Sequence, residues 1–392
     1  MAGMSLVDLL LGVILLAAFV GGLSRGLLGT LGGLLGLVVG GLAAFWVVPL
    51  VNDALPSSGW RLPAVVVVAL GLPLLGMSLG ARLGRAARRE VGRTPLRGVD
   101  RLLGGVASLL VAAVALSFVG SAVAATGAPT LAPAVASSSV LRTIDRLTPA
   151  PVSRTIAGLR DQVLDTGLPE LDALLPGVTP TIPTVDLADP ALAQAARSVA
   201  RIAGTAYACG ISSTGSGFVV APGRVVTNAH VVAGVSSPLV QLPGQRAQQG
   251  RVVYFDPTND LAVLAVDGLD ATPLTIVPTL ATGDDAVVLG YPYGGPLTSG
   301  GARVLSVATV PLADISGSGS HNRQIYALAA QVRPGNSGGP LLTTGGQVAG
   351  IVFARAQNDA NVGYAMTTAE LLPVVAQASG LDRTVSSGAC VG

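Results

Sequence analysis

Four long apolar stretches crowd the first 125 residues, and a soluble core does not accommodate four of them in succession. The first is Leu6–Val20, interrupted only by Asp8, and the second is Leu27–Val51, uncharged over 25 residues. Leu62–Ala81 and Leu102–Ala124 are also free of charge. A helix needs roughly 20 apolar residues to cross about 30 Å of hydrocarbon. The pattern therefore predicts an all-α bundle of four transmembrane helices over residues 1–125. Composition agrees, because only 11% of the chain is charged, against about 25% in an ordinary soluble domain.

Arginine placement gives the bundle a direction. Arg82, Arg85, Arg88, Arg89, Arg93, Arg97 and Arg101 lie between the third and fourth runs, and Arg25 follows the first. The second connection holds only Asp53 and Arg61. Basic loops stay on the cytoplasmic side, so both termini are expected outside a cell (inner) membrane that the chain crosses several times. No basic stretch precedes the first run, which argues against a cleaved signal peptide. The net charge of +2 is too small to suggest a nucleic-acid partner, and none is expected.

The second run repeats glycine at four-residue spacing, as Gly29/Gly33 and Gly32/Gly36/Gly40. Such spacing lets helix backbones approach closely, either inside one bundle or between two copies, so the oligomeric state stays open. Asp8 reads as an interfacial residue rather than a proton relay. This glycine-rich region resembles the colicin V production (CvpA) family.

Residues 126–195 change character. Pro and Ala punctuate TGAPTLAPAVASSS and LPGVTPTIPTVDLADP, while SVLRTIDRL and PVSRTIAGLRDQVLDTG show helical spacing of apolar residues. A partly helical extracytoplasmic stalk is expected there, acting as a spacer or as a regulatory, self-cleaved segment.

Residues 196–392 switch to short β-type runs between turn residues, among them SGFVV, RVVTNAHVV, LAVLAV, DAVVLGY, ARVLSVATV, IYALAAQV and QVAGIVFA. This pattern predicts an all-β barrel or sandwich. Three local motifs stand out: Thr227-Asn228-Ala229-His230-Val231-Val232, Asp256-Pro257-Thr258-Asn259-Asp260-Leu261, and Arg333-Pro334-Gly335-Asn336-Ser337-Gly338-Gly339-Pro340. From about residue 200 to about residue 380 the chain resembles chymotrypsin-fold serine proteases, the HtrA/Deg branch in particular, whose order is His, Asp, Ser. The resemblance implies a chymotrypsin-like double β-barrel and a triad of His230, Asp260 and Ser337. It also implies an oxyanion hole from the backbone N–H groups of Gly335 and Ser337.

The chemistry needs those residue types. A serine hydroxyl is a weak nucleophile until a base accepts its proton, and imidazole does so near neutral pH. A buried carboxylate holds the imidazole tautomer. Asp256 precedes Pro257 and reads as a turn residue, and the resemblance implies a catalytic carboxylate immediately before the strand Leu261–Val266, at Asp260. His321 lies in the loop SGSGSHNRQ and reads as a bystander. No group of His, Cys and acids has metal-ligand spacing, so neither metal nor cofactor is expected.

Gln331, six residues before Ser337, stands where this fold often places the base of the P1 side-chain pocket, with walls from Ile351–Arg355 and Val362–Ala365. A neutral or apolar P1 residue is expected. The partners are then protein or peptide substrates of the cell envelope. The two cysteines, Cys209 and Cys390, are expected to pair in an exported domain, as a brace or as a redox switch. After a closing helix at Thr368–Ala378 the sequence runs to Gly392, so a PDZ domain is not expected. This layout resembles the membrane serine proteases of mycobacteria linked to acid resistance, which implies an actinobacterial envelope setting and a role in acid or oxidative stress. Two other readings compete: a catalytically silent scaffold, and a transporter or channel built from the bundle.

Overall fold

The computed structural model describes residues 6–54, 61–91, 97–125, 134–135, 138–148, 168–171, 180–206 and 211–391. They fall into two compact units, Met1–Ser117 and Phe118–Gly392.

The first unit is helical: α1 (Leu6–Ala54), α2 (Arg61–Val91) and most of α3 (Arg97–Ala125). The first two apolar runs lie in one element, α1, which is broken at Gly26, where φ is 71° and ψ is 174°. Those angles are open to glycine and strained for residues with a Cβ. The break frees the N–H of Leu27, and Asp100 on α3 accepts it through Oδ1 at 3.0 Å. Thr30 and Ser108 meet just beyond, their hydroxyls 3.2 Å apart. The four expected spans thus correspond to three helices, one of them broken. Among the described residues, two stretches are long and apolar enough to cross a membrane, Leu6–Ala44 and Gly98–Ser117.

The glycine repeat is used within the chain. Gly32, Gly36 and Gly40 of α1 face Gly80, Gly76 and Leu72 of α2 so closely that any added Cβ would fall on a backbone carbonyl oxygen. Meanwhile Leu9, Leu16, Leu35, Val39, Leu42 and Leu110 are each more than half exposed, whereas Asp8, Thr30, Asp100 and Ser108 are buried. Apolar outside and polar inside is the arrangement a hydrocarbon solvent selects.

The second unit holds the expected short helix over SVLRTIDRL, α4 (Ser139–Leu147), capped by Ser138 Oγ accepting the N–H of Leu141 at 3.2 Å. The stretch PVSRTIAGLRDQVLDTG lies outside the described residues except for its neighbours downstream. There a two-residue strand, β1 (Glu170–Leu171), precedes a helix, α5 (Pro190–Ala196), whose Leu192 and Ala195 are buried. Among the described residues of the stretch expected to be a spacer, Leu168, Leu171, Val185, Leu192 and Ala195 pack on the β-rich core.

That core is two barrels. In the first, β2 (Val199–Ala206) pairs with β3 (Ile211–Ala221), β3 with β4 (Arg224–Thr227), and β4 with β8 (Leu261–Ala265). β8 pairs with β7 (Arg251–Asp256), which continues from β6 (Gln248–Gln249) across Gly250. β6 returns through β5 (Leu239–Gln241) to β2, and the ring closes. In the second, β9 (Asp285–Gly290), β10 (Thr298–Ala313) and β11 (Ser320–Ala329) form an antiparallel run. It continues through β14 (Val362–Thr367), β13 (Val348–Ala356) and β12 (Pro340–Thr343) back to β9. Closure leaves neither barrel with a free edge along its full length. A C-terminal helix, α7 (Thr368–Ala378), buries Leu371 and Val374 against the same core as Phe218 of the first barrel and Phe353 of the second.

Candidate active site

The imidazole is carried by a single-turn helix, α6 (Ala229–Val232), that starts directly after β4. Ala229, Val231 and Val232 are buried around it, which fixes the direction in which His230 projects. Its Nδ1 lies 2.8 Å from Oδ2 and 3.0 Å from Oδ1 of Asp260, and its backbone N–H donates to Oδ1 at 2.9 Å. With Nδ1 donating to the carboxylate, the neutral ring carries its lone pair on Nε2. That atom is buried and makes no hydrogen bond.

Asp260 sits at the mouth of β8, 2% exposed, with φ at 55°. A non-glycine residue in the left-handed region is uncommon, though aspartate tolerates it better than most. Asn228 donates from Nδ2 to the Asp260 carbonyl at 2.9 Å and holds the conformation. Asp256 does something else. It accepts the N–H groups of Thr258 and Asn259 at 2.9 and 3.0 Å and Asn259 Nδ2 at 2.8 Å. It organises the turn that delivers Asp260. Behind this loop lies Arg323, a buried guanidinium 5.7 Å from the Phe353 ring centroid, donating to the Ala313 carbonyl at 2.6 Å. Burial pulls its pKa down from the ordinary value, and the charge of Asp260 is the largest opposing influence.

Ser337 is 3% exposed and lies on the tight turn between β11 and β12. Gly335 and Gly338 adopt φ of 91° and 81°, and a Cβ on either would strike backbone of the facing segments. Asn336 N–H donates to the Arg333 carbonyl at 2.9 Å, and Gly338 N–H to that of Val352 at 2.8 Å. Among the described residues, the N–H groups of Gly335 and Ser337 meet no acceptor. Gly215 separates this turn from α6: a Cβ there would be 2.6 Å from Val231 and 3.1 Å from the Ser337 carbonyl oxygen. The structure thus joins His230 to Asp260 directly and brings the Ser337 turn beside α6, with no hydrogen bond between His230 and Ser337.

One residue at the centre has no counterpart among the sequence expectations. Ser216, wholly buried on β3, donates from Oγ to the Gly335 carbonyl at 2.7 Å and accepts the Tyr291 N–H at 2.9 Å. Its own N–H donates to the Ser337 carbonyl at 2.8 Å, and its carbonyl accepts Thr227 Oγ1 at 2.7 Å. The only sequence signal was the small-residue run Gly215-Ser216-Gly217 in front of an apolar strand. Tyr291 is buried too, its hydroxyl donating to the Val199 carbonyl at 3.2 Å and its pKa pushed well above the ordinary phenol value by burial.

The remaining expected residues are peripheral. Gln331 is exposed and accepts Arg333 Nη2 at 2.9 Å, and His321 is exposed at the β10–β11 hairpin. Cys390 is disulfide-bonded, and its Sγ lies against Gly234, just past α6. Cys209 lies outside the described residues. Among the described residues no three of His, Cys, Asp and Glu converge as metal ligands.

Comparison with known proteins adds a second line of argument. The trypsin-like peptidase domain family matches residues 215–351, and the colicin V production protein family matches residues 7–149. The chain is 34% identical to serine protease Rv3671c of Mycobacterium tuberculosis over 390 residues, 96% of this chain and 97% of that protein. It is 32% identical to chloroplastic protease Do-like 1 of Arabidopsis thaliana over 167 residues, 39% of this chain and 36% of that protein. The crystal structure of the Rv3671c protease in its active form superimposes with a TM-score of 0.52 at 39% identity, covering 56% of this chain and 100% of that chain.

Proposed function

This chain belongs to the serine protease family of Rv3671c, and from that premise we propose that it is a membrane-anchored endopeptidase with His230, Asp260 and Ser337 as its triad. In this reading Ser337 Oγ attacks the scissile carbonyl while His230 Nε2 takes its proton. His230 then returns the proton to the leaving amine, and water hydrolyses the acyl-enzyme by the same route reversed. Asp260 keeps the imidazole in the required tautomer and stabilises the imidazolium. The N–H groups of Gly335 and Ser337 receive the oxyanion, each worth about 2.7–4 kcal/mol in the transition state.

The observation that carries the reading is the His230–Asp260 pair, with Nδ1 held between two carboxylate oxygens and Nε2 left for the nucleophile. The colicin V-type region and its outward-facing apolar side chains support anchoring in the cell membrane. Four spans, with Gly26 separating the first two, termini outside and a protease domain facing the envelope complete the proposal. A neutral P1 preference, a Cys209–Cys390 bridge and a role in acid or oxidative stress belong to it as well.

Full-length protein in detergent, incubated with fluorescently labelled casein, tests the activity. Wild type is expected to cleave and to be labelled by a fluorophosphonate, and Ser337→Ala to do neither. Equal cleavage by both would remove the assignment of the nucleophile, and inactive wild type would remove the enzyme.

A further inference from the structure

Catalysis by such a site depends on the orientation of one peptide plane. The N–H of Gly335 belongs to the Pro334–Gly335 peptide, and at a glycine with φ of 91° neither flanking peptide is held by its own side chain. Both are held from outside. The Pro334 carbonyl accepts the N–H of Tyr293 at 2.6 Å, and the Gly335 carbonyl accepts Ser216 Oγ at 2.7 Å. The same Ser216 oxygen accepts the N–H of Tyr291, two residues from Tyr293, at 2.9 Å. Its backbone N–H fixes the Ser337 carbonyl on the far side of the turn. We propose that Ser216 is a positioning residue that, from the opposite barrel, holds the Gly335–Asn336 and Ser337–Gly338 peptides, the direct neighbours of the two peptides that carry the Gly335 and Ser337 N–H donors. The claim rests on the protease reading above and adds to it a residue that touches neither substrate nor imidazole.

Misdirected donors weaken the transition state and leave ground-state binding nearly alone. In full-length protein, Ser216→Ala is expected to lower kcat on labelled casein by about 10²-fold per fluorophosphonate-titrated site, with KM within about twofold. Inhibition by phenylboronic acid, which forms a tetrahedral adduct on the nucleophile, should weaken in parallel. A role confined to folding would lower the titrated fraction and leave kcat per site intact, and that outcome overturns the inference. So does a change in KM alone. If the alanine variant does not fold, Ser216→Cys, with a weaker donor of similar size, is measured instead and is expected to lose about tenfold in kcat. Full activity there is equally fatal. Inactive wild type would instead defeat the underlying protease reading.

A different observation carries a second inference. β14 covers one edge of β13 as far as Arg355, so the opposite edge is the one shared by β12 and the Ser337 turn. On that edge Gly338 and Gly339 bond Val352, and the next stretch belongs to β1. Arg355 N–H donates to the Pro169 carbonyl at 3.1 Å, and Gln357 N–H to that of Leu171 at 3.0 Å. Arg355 also pairs with Glu170. An extended peptide with its scissile carbonyl at Ser337 has to lie along this same edge, because strand addition supplies its main-chain hydrogen bonds. We infer that Pro169–Leu171 is an intramolecular competitor occupying the substrate's strand position, a short strap that has to leave before a protein substrate seats.

Two strand residues and a half-exposed ion pair are a weak hold, which suits a strap that can be displaced. Glu170→Arg in full-length protein, setting like charges against each other at Arg355, is expected to lower KM for labelled casein several-fold. Labelling by a small fluorophosphonate, which needs no strand pairing, should be unchanged. A KM that stays the same or rises would overturn the strap, whereas loss of labelling in wild type would defeat the protease reading itself.

Discussion

At the scale of single residues, the carboxylate decides most. Asp260 was told from Asp256 by the family resemblance, which implies a carboxylate just before the strand at Leu261, and the structure gives the physical difference between them. Asp256 spends its oxygens on the N–H groups of its own turn, while Asp260 gives both to His230. Asparagine tolerates left-handed backbone about as well as aspartate, so Asp260→Asn should keep the backbone and change only charge and tautomer. Its expected effect is a fall in kcat of about 10⁴-fold at pH 7, with a melting temperature close to wild type, read by casein turnover and calorimetry. Ser216 was not legible in the same way. Its key partner lies 119 residues away, and nothing local marks a buried serine as a long-range anchor.

Among the elements, the helices and strands divide in how well they could be read. The β-type runs from residue 199 onward became strands, except that the AHVV end of RVVTNAHVV forms α6. Strand β1 gave no signal, since two residues in a Pro-rich stretch have no period; its pairing is decided by an exposed edge elsewhere. The break in α1 was visible as Arg25-Gly26 between two apolar runs, but its cap was not, because Asp100 arrives from a distant helix. The glycine repeat announced close packing without naming the partner. The structure names α2, and Gly36 and Gly41 then make a matched pair. A side chain at Gly36 meets the Gly76 backbone, while one at Gly41 meets nothing within 4 Å. Gly36→Leu is expected to cost about 1–3 kcal/mol or more through overpacking, seen as a lower melting temperature in detergent. Gly41→Leu should melt like wild type.

For the molecule as a whole, composition already set the apolar first 125 residues apart from the rest, and three short motifs in order marked the protease-like part. What composition could not supply was the join between the two barrels. His230 and Asp260 come from the first barrel and Ser337 from the second, and the Ser337 turn of the second is tied down by Ser216 of the first. A newly made chain therefore holds no working cleavage centre while only its first barrel has formed, and none while the second is still undocked. In the proposed reading, proteolysis is withheld until the contact between the barrels closes.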